Sequence, residues 1–330
     1  MGRAWVSRKQ LKNYGMLGMN CRNVDFINRY NDRKLFPLVD NKLQTKLLAQ
    51  EYDVPTPRLR FVVREQHEIS HIEQEFEGLE HFALKPAKGS GGKGIMVVTG
   101  RHGDQFVRSS GTEVSISDIR RHMSNILAGL YSLGGSPDVA IVEDLIAFDE
   151  CFSGYSHEGV PDIRIIVFKG YPVMAMLRLS THASDGKANL HQGAVGVGLA
   201  LDTGRCLYAA QFGRPVSMHP DTGQALGDIH IEGWRDILLL ASQCYDMTGL
   251  GYIGTDIVLD RFQGPQLLEL NARPGLAIQI ANGRGLLLRL RHIEGLTLNR
   301  RFRSEHRVDY SMRQFAELEK NWPGVGAEVA

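Results

Sequence analysis

Apolar and polar positions change period every few residues along this chain, and the changes predict strands and helices in no regular βαβ order. Asp40 or Asn41 can cap a helix over residues 42–52, with Leu43, Leu47 and Leu48 as its apolar face, before Pro55 and Pro57 stop it. Strand-like residues 58–63 follow, then a polar helix around 68–76 and a short strand over 82–85. Ser117 can cap a helix over 118–131, and residues 139–146 read as a strand. Residues 162–168 and 171–179 form a hairpin turned by Lys169-Gly170, and 234–248 has the period of a helix. Two last apolar runs, 251–260 and 266–271, flank the turn-rich stretch 261–265, which predicts a second hairpin. Such a mixture predicts an α+β architecture and not one doubly wound sheet.

Size and charge narrow the classes. A chain of 330 residues that is 43% hydrophobic can bury a sizeable core in two lobes. A net charge of +1, with basic residues spread along the chain, argues against a nucleic-acid partner, and the short run Arg300-Arg301-Phe302-Arg303 reads as solvated surface. Cys21, Cys151, Cys206 and Cys244 form no close pair, which predicts reduced, buried thiols and neither a zinc site nor a disulfide framework. No run approaches a membrane span or a signal peptide, so a cytoplasmic protein is expected. Residues 1–37 are polar and basic, broken by Gly15, Gly18 and Pro37, and read as a leading segment.

Chemistry concentrates in two places. If the second hairpin is centred between Phe262 and Gln263, Asp256 faces Glu269, and Asn271 shares the Glu269 face because strand side chains alternate. Two carboxylates and an amide oxygen suit Mg²⁺, or Mn²⁺ as an alternative, with phosphate oxygens completing the shell. The other place is the stretch 85–94, where Lys85, Lys88 and Lys93 surround Gly89, Gly91, Gly92 and Gly94. Glycines let backbone N–H groups approach phosphate. The letters contain G-x-G-x-x-G, yet a strand follows at 95–98 where a dinucleotide site needs a helix, and Gly94 stands where a Walker A loop needs Ser or Thr. A strand–loop–strand flap over phosphates is the reading that remains, and it demands the same ligand as the hairpin: ATP with its metal.

The order of these parts resembles the ATP-grasp superfamily, in particular its α-L-glutamate ligases and a subgroup associated with sugar transfer. The signature Glu269-x-Asn271-x-x-Pro274-Gly275 carries the resemblance furthest, with Asp162-Ile163-Arg164 and Asn189-Leu190-His191 nearly as specific. The resemblance implies a fold of two lobes clamping ATP, with the usual N-terminal domain reduced to a short segment at 1–39. It implies a small lobe with the flap over 40–142, a catalytic lobe with the metal site over 143–300 and a tail over 301–330. It places Lys42, Lys85, Lys88, Gly91, Gly92 and Lys93 on the nucleotide phosphates, and Glu143, Asp144 and Leu145 at the adenine. It adds Asp162, Lys187 and Asn189 to the nucleotide contacts, Asp256, Glu269 and Asn271 as metal ligands, and Arg164 and Arg273 as catalytic cations. Gln192 stands where the ligases carry Arg, the stretch 149–161 is an insertion, and His219 and His230 read as turn or surface residues.

The reaction so implied joins a carboxylate to an amine through an acyl phosphate, adding glutamate or another amino acid to a peptide or small molecule. Arg178 is a candidate to bind a substrate carboxylate by a forked contact. A small-molecule kinase on the same fold, or an ATP-binding scaffold without ligase activity, are the alternatives. A homo-oligomer is compatible with either.

Overall fold

A computed structural model describes residues 7–89, 91–156, 159–296 and 302–320. Arg300 and Arg301 of the basic run, and residues 321–330 of the tail, lie outside the described residues. The chain divides into two compact units, Pro37–Ala147 and a second made of Met1–Phe36 with Phe148–Ala330.

In the unit Pro37–Ala147, strands β1 (Leu59–Val63), β2 (Phe82–Pro86), β3 (Met96–His102), β4 (Gln105–Arg108), β5 (Glu113–Val114) and β6 (Ala140–Asp144) form an antiparallel sheet ordered β1-β6-β2-β3-β4-β5. Alternation sorts its two faces. Leu84, Val98 and Val142 join a core closed by Ile119, Met123 and Ile126 of the helix Ile116–Leu127, each contributing roughly 1.5–3 kcal/mol by burial. Ile141 points the other way, against Leu43 of the helix Lys42–Glu51.

Three expectations are corrected here. The helix Lys42–Glu51 does start at an Asn41 cap, but its buried face is Leu43, Thr45, Lys46 and Ala49, and Leu47 is exposed. The later helix starts at Ile116 because Ser115 and Asp118 form a reciprocal capping box, which displaces Ser117 from the cap. Between β1 and β2 the expected single helix is two 3₁₀ turns, Gln66–His71 and Gln74–Phe76, whose buried Ile69 and Ile72 recur at the three-residue repeat of that helix.

The second unit carries β7 (Asp162–Phe168), β8 (Tyr171–Leu179), β9 (Val195–Leu199), β10 (Cys206–Gln211), β11 (Arg214–Pro215), β12 (Tyr252–Asp260) and β13 (Gly264–Asn271) in the antiparallel order β11-β10-β9-β8-β7-β12-β13. Lys169 and Gly170, both at positive φ, turn β7 into β8 as the sequence predicts. The helix Trp234–Thr248 covers β7, β8, β12 and β13 with Ile237, Leu238, Ala241 and Cys244.

The N-terminal stretch is stitched into this unit. Phe26 meets the Phe168 ring edge-on at 5.5 Å, and buried Asn31 exchanges hydrogen bonds with both backbone groups of Tyr252 (2.7 and 2.8 Å). None of the four cysteines is paired, although Cys244 alone is buried and Cys151 is exposed, so the expectation of buried thiols holds only for Cys244. Among the described residues no helix is long and apolar enough to cross a membrane.

Candidate functional site

The predicted residues fall into two groups, one in each unit. In Pro37–Ala147 the glycine loop joins β2 to β3 as a strand–loop–strand hairpin. Its base is fixed. Lys42 donates through Nζ to the Gly89 carbonyl (2.7 Å), and the Lys88 N–H donates to both Asp138 carboxylate oxygens (3.0 and 3.1 Å). Its tip is open: Gly91, Gly92 and Lys93 are exposed, and both glycines have positive φ with no neighbour near a would-be Cβ. Gly94 is different, since a Cβ there would lie 2.5 Å from the Tyr131 ring. The loop thus presents backbone N–H groups from a pinned base. The Lys88 ammonium donates to the Pro137 carbonyl (3.0 Å).

Below the loop, Lys85 and Glu143 share the sheet face on which the helix Lys42–Glu51 lies, and Lys46 reaches the same point. Glu143 is 1% exposed between the two ammonium groups, with Lys85 on Oε1 and Lys46 Nζ 3.0 Å from Oε2, close enough for an ion pair though not aligned as a hydrogen bond. The resemblance assigns Glu143 to the adenine; here its carboxylate compensates two buried cations. Burial lowers the Lys46 pKa, against the pull of Glu143. The two amino groups thus share one buried carboxylate. Lys46 is invisible in the sequence, where it reads as a solvated helix lysine; its only signal is a place three residues after Leu43 and three before Ala49. Asp144 pairs with Arg60, and Leu145 follows β6 half-buried.

In the second unit, Asp162, Arg164, Arg178 and Asp256 meet on the adjacent strands β8, β7 and β12. Register opposes Asp162 to Arg178 and Arg164 to Asp256. Arg178 donates from Nε to Asp162 (2.6 Å) and from Nη2 to Asp256 (2.8 Å); Arg164 donates from Nε to Asp256 Oδ1 (2.7 Å) and from Nη2 to Oδ2. The Arg178 fork is therefore spent inside the protein, which corrects its candidacy for a substrate carboxylate. Arg164 keeps Nη1 without a protein partner among the described residues.

The two carboxylates titrate apart. Burial pushes Asp162 up to about 6, with Arg178 opposing. Burial also works against ionised Asp256, but Arg164 and Arg178 outweigh it and hold that carboxyl down at about 2.

Asp256 lies opposite Glu269, and Asn271 stands two residues on, as the hairpin arithmetic predicts. The route to that register is different. The turn is centred on Phe262, with Asp260 opposite Gly264, and a bulge between Asp256 and Ile257 restores the expected pairing. Among the described residues no group of three His, Cys, Asp or Glu could hold a metal, so a cation here rests on two carboxylates and an amide. The donors fit a hard ion. Asp256 accepts three guanidinium hydrogen bonds and retains one of its roughly four lone-pair positions. Asn271 Oδ1 accepts the Arg273 N–H (3.0 Å) and has a second lone pair, and Glu269 and Asn271 are both half-buried.

The Arg273 guanidinium stacks on Phe36, 4.9 Å from the ring centroid. Lys187 makes an exposed pair with Asp185 (2.9 Å), and Asn189 caps the turn Leu190–Gln192 by accepting the His191 N–H (3.0 Å). His219 is a turn residue but not a surface one, being 1% exposed with Nε2 3.2 Å from the Ser180 carbonyl.

Among solved structures, the chain is similar to D-alanyl-alanine synthetase A from Vibrio cholerae O1 biovar eltor (11% identity, TM-score 0.46), over 86% of this chain and 66% of that one. It is similar to the D-cycloserine synthetase DcsG (15%, 0.46), over 79% and 71%. It is also similar to the ATP-grasp ligase PsnB complexed with a minimal precursor (13%, 0.43), over 79% of this chain but only 60% of the PsnB chain. At these values none of the three bears on substrate. No curated protein matches the sequence. The sequence pattern of sugar-transfer associated ATP-grasp proteins, in contrast, matches residues 21–295, a span that includes the glycine loop, the Asp162–Arg164 strand and the Glu269–Asn271 pair. The chain belongs to the sugar-transfer associated ATP-grasp family.

Proposed function

We propose that the protein is an ATP-dependent carboxylate–amine ligase that forms an amide through an acyl phosphate. The observation that carries this reading is Asp256 in register with Glu269, with Asn271 on the same face and Arg164 beside them. Glu269, Asn271 and Asp256 would hold Mg²⁺, whose charge would offset that of the triphosphate. Lys42, Lys85, Lys88 and Lys93 and the N–H groups of Gly91 and Gly92 would receive the phosphates, with the adenine at Glu143–Leu145. Asp162, Lys187 and Asn189 complete the proposed nucleotide contacts.

The chemistry needs no Ser, Cys or His nucleophile. A carboxylate oxygen of the acid attacks the γ-phosphorus, the bond to the β,γ-bridging oxygen breaks, and ADP leaves. The amine then adds to the acyl carbonyl, phosphate departs and the amine loses a proton. Arg164, through its unused Nη1, and Arg273 supply fixed positive charge for the oxyanion that develops on that carbonyl. The two Asp256 hydrogen bonds keep the Arg164 fork from turning away.

Hydrogen exchange with a non-hydrolysable ATP analogue and Mg²⁺ tests the placement. Slower exchange is expected at residues 88–94 and 142–145, where an exposed loop and a strand end would gain a ligand. Protection confined to other segments would count against it.

A further inference from the structure

The N-terminal stretch, which sequence reading leaves without a role, builds a cavity of about 450 Å³ beside the metal-site hairpin. Arg22, Asn23, Asn28 and Arg33 line it together with Phe36 and Arg273. Among the described residues no carboxylate lines it, and the side chains of Arg22, Arg33 and Arg273 face the one space.

Each is placed by a different device. Arg22 is held by hydrogen bonds, donating from Nη1 to the distant Pro274 carbonyl (2.8 Å) and from Nε and Nη2 to the adjacent Asn23 Oδ1 (3.0 and 2.8 Å). Arg33 sits in a 3₁₀ turn capped by Asp32 and is exposed. Arg273 lies flat on Phe36. The helical stretch that offers Arg22, Asn23 and Asn28 passes through a π-helical turn, Arg22–Ile27, and such turns recur at functional sites because they re-aim side chains at some cost in backbone hydrogen bonding.

We infer that this cavity binds an anionic group of the acid substrate other than the carboxylate that is activated. The assignment to the acid rests on the ligase reading above. Its position carries it: the Arg273 N–H bonds Asn271, so the cavity begins within two residues of a proposed metal ligand. Its charge fixes the class. One carboxylate neutralises one guanidinium, and the activated carboxylate already has Arg164; Arg22, whose acceptors among the described residues are all neutral, and Arg33 are two further cations, which call for a phosphate ester or a second carboxylate. Asn23 and Asn28 add amide groups suited to oxygens around that anion. The substrate class is therefore a polyanionic acid, either phosphorylated or dicarboxylic.

Calorimetric titration of the whole protein, without nucleotide, with inorganic phosphate and separately with glutarate tests this. Saturable binding at one site per chain is expected. Arg33→Gln should weaken it by about tenfold or more, and Arg33→Lys by less, because a forked charge-assisted contact is lost while the charge is kept. Among the described residues the Arg33 side chain makes no hydrogen bond or ion pair, so the variants should unfold like the parent. Phosphate bound in preference identifies a phosphorylated acid, and glutarate a dicarboxylic one. No saturable binding of either, or binding unchanged in Arg33→Gln, overturns the inference. The readout uses no ATP, so failure to bind an ATP analogue in a parallel titration would strike the ligase reading alone.

Discussion

Glu269→Ala and Asn271→Ala should each lower Mg²⁺-dependent ATP turnover by about a hundredfold or more while leaving the far-ultraviolet circular dichroism unchanged. Both side chains stand half-buried on the outer strand of the second sheet, so removing them costs the core little. Their loss instead leaves the transferring phosphoryl group without its counter-charge. The two variants differ in what remains. Without Glu269 the site loses a carboxylate, and raising Mg²⁺ should recover only part of the rate. Without Asn271 the Arg273 N–H also loses its acceptor, so the loop that follows is released. Turnover at the parental rate in both variants, with the fold intact, contradicts the metal assignment.

The second large effect is on stability. Arg178→Met should destabilise the protein by about 3–5 kcal/mol near neutral pH, because it strips a buried carboxylate of its cation. Asp162 loses the Nε contact at 2.6 Å, and Asp256 keeps only Arg164. The penalty should depend on pH with a defined sign. In the parent, Asp162 is raised from 3.8 to about 6, so the folded protein holds a proton that the unfolded chain has released between those values. Its contribution is fully present below 3.8 and is lost as pH rises through about 6. Removing Arg178 makes the ionised form costlier still, and the deficit of the variant should be larger at about pH 8 than at about pH 5. Urea unfolding at both values measures it. Equal stability of parent and variant at both would show that the quartet is not what secures these three strands.

The elements that sequence reading located well are those specified by local rules. The hairpin β7–β8 follows from period-two alternation and a Lys169-Gly170 turn whose two residues both need positive φ. The helix Trp234–Thr248 is bounded by glycines on each side. What stayed hidden depends on partners distant in the chain. Lys46 is buried because Glu143 waits opposite, and nothing within the helix says so. The bulge at Asp256–Ile257 compensates a turn one residue tighter in register than the symmetric hairpin supposes, and two such errors cancel without trace in the sequence. Asn31 ties the N-terminal stretch to Tyr252 across more than two hundred residues, so that stretch reads as a polar leader until the fold is seen. The candidate site shows the same division: the register of Asp256 opposite Glu269 is legible from spacing, whereas the guanidinium pairing of Asp256 and the arginine-lined cavity are not.

Hydroxylamine trapping tests for the acyl phosphate on which the proposed ligase reaction depends. The protein is incubated with Mg²⁺, ATP, a pool of small carboxylic acids drawn from cell extract, and hydroxylamine in place of the natural amine. Mass spectrometry should then find a hydroxamate of one acid formed in step with ADP, absent without ATP, and much reduced in Glu269→Ala. ADP formed together with a stable phosphorylated alcohol, and no hydroxamate of any acid, would contradict the claim.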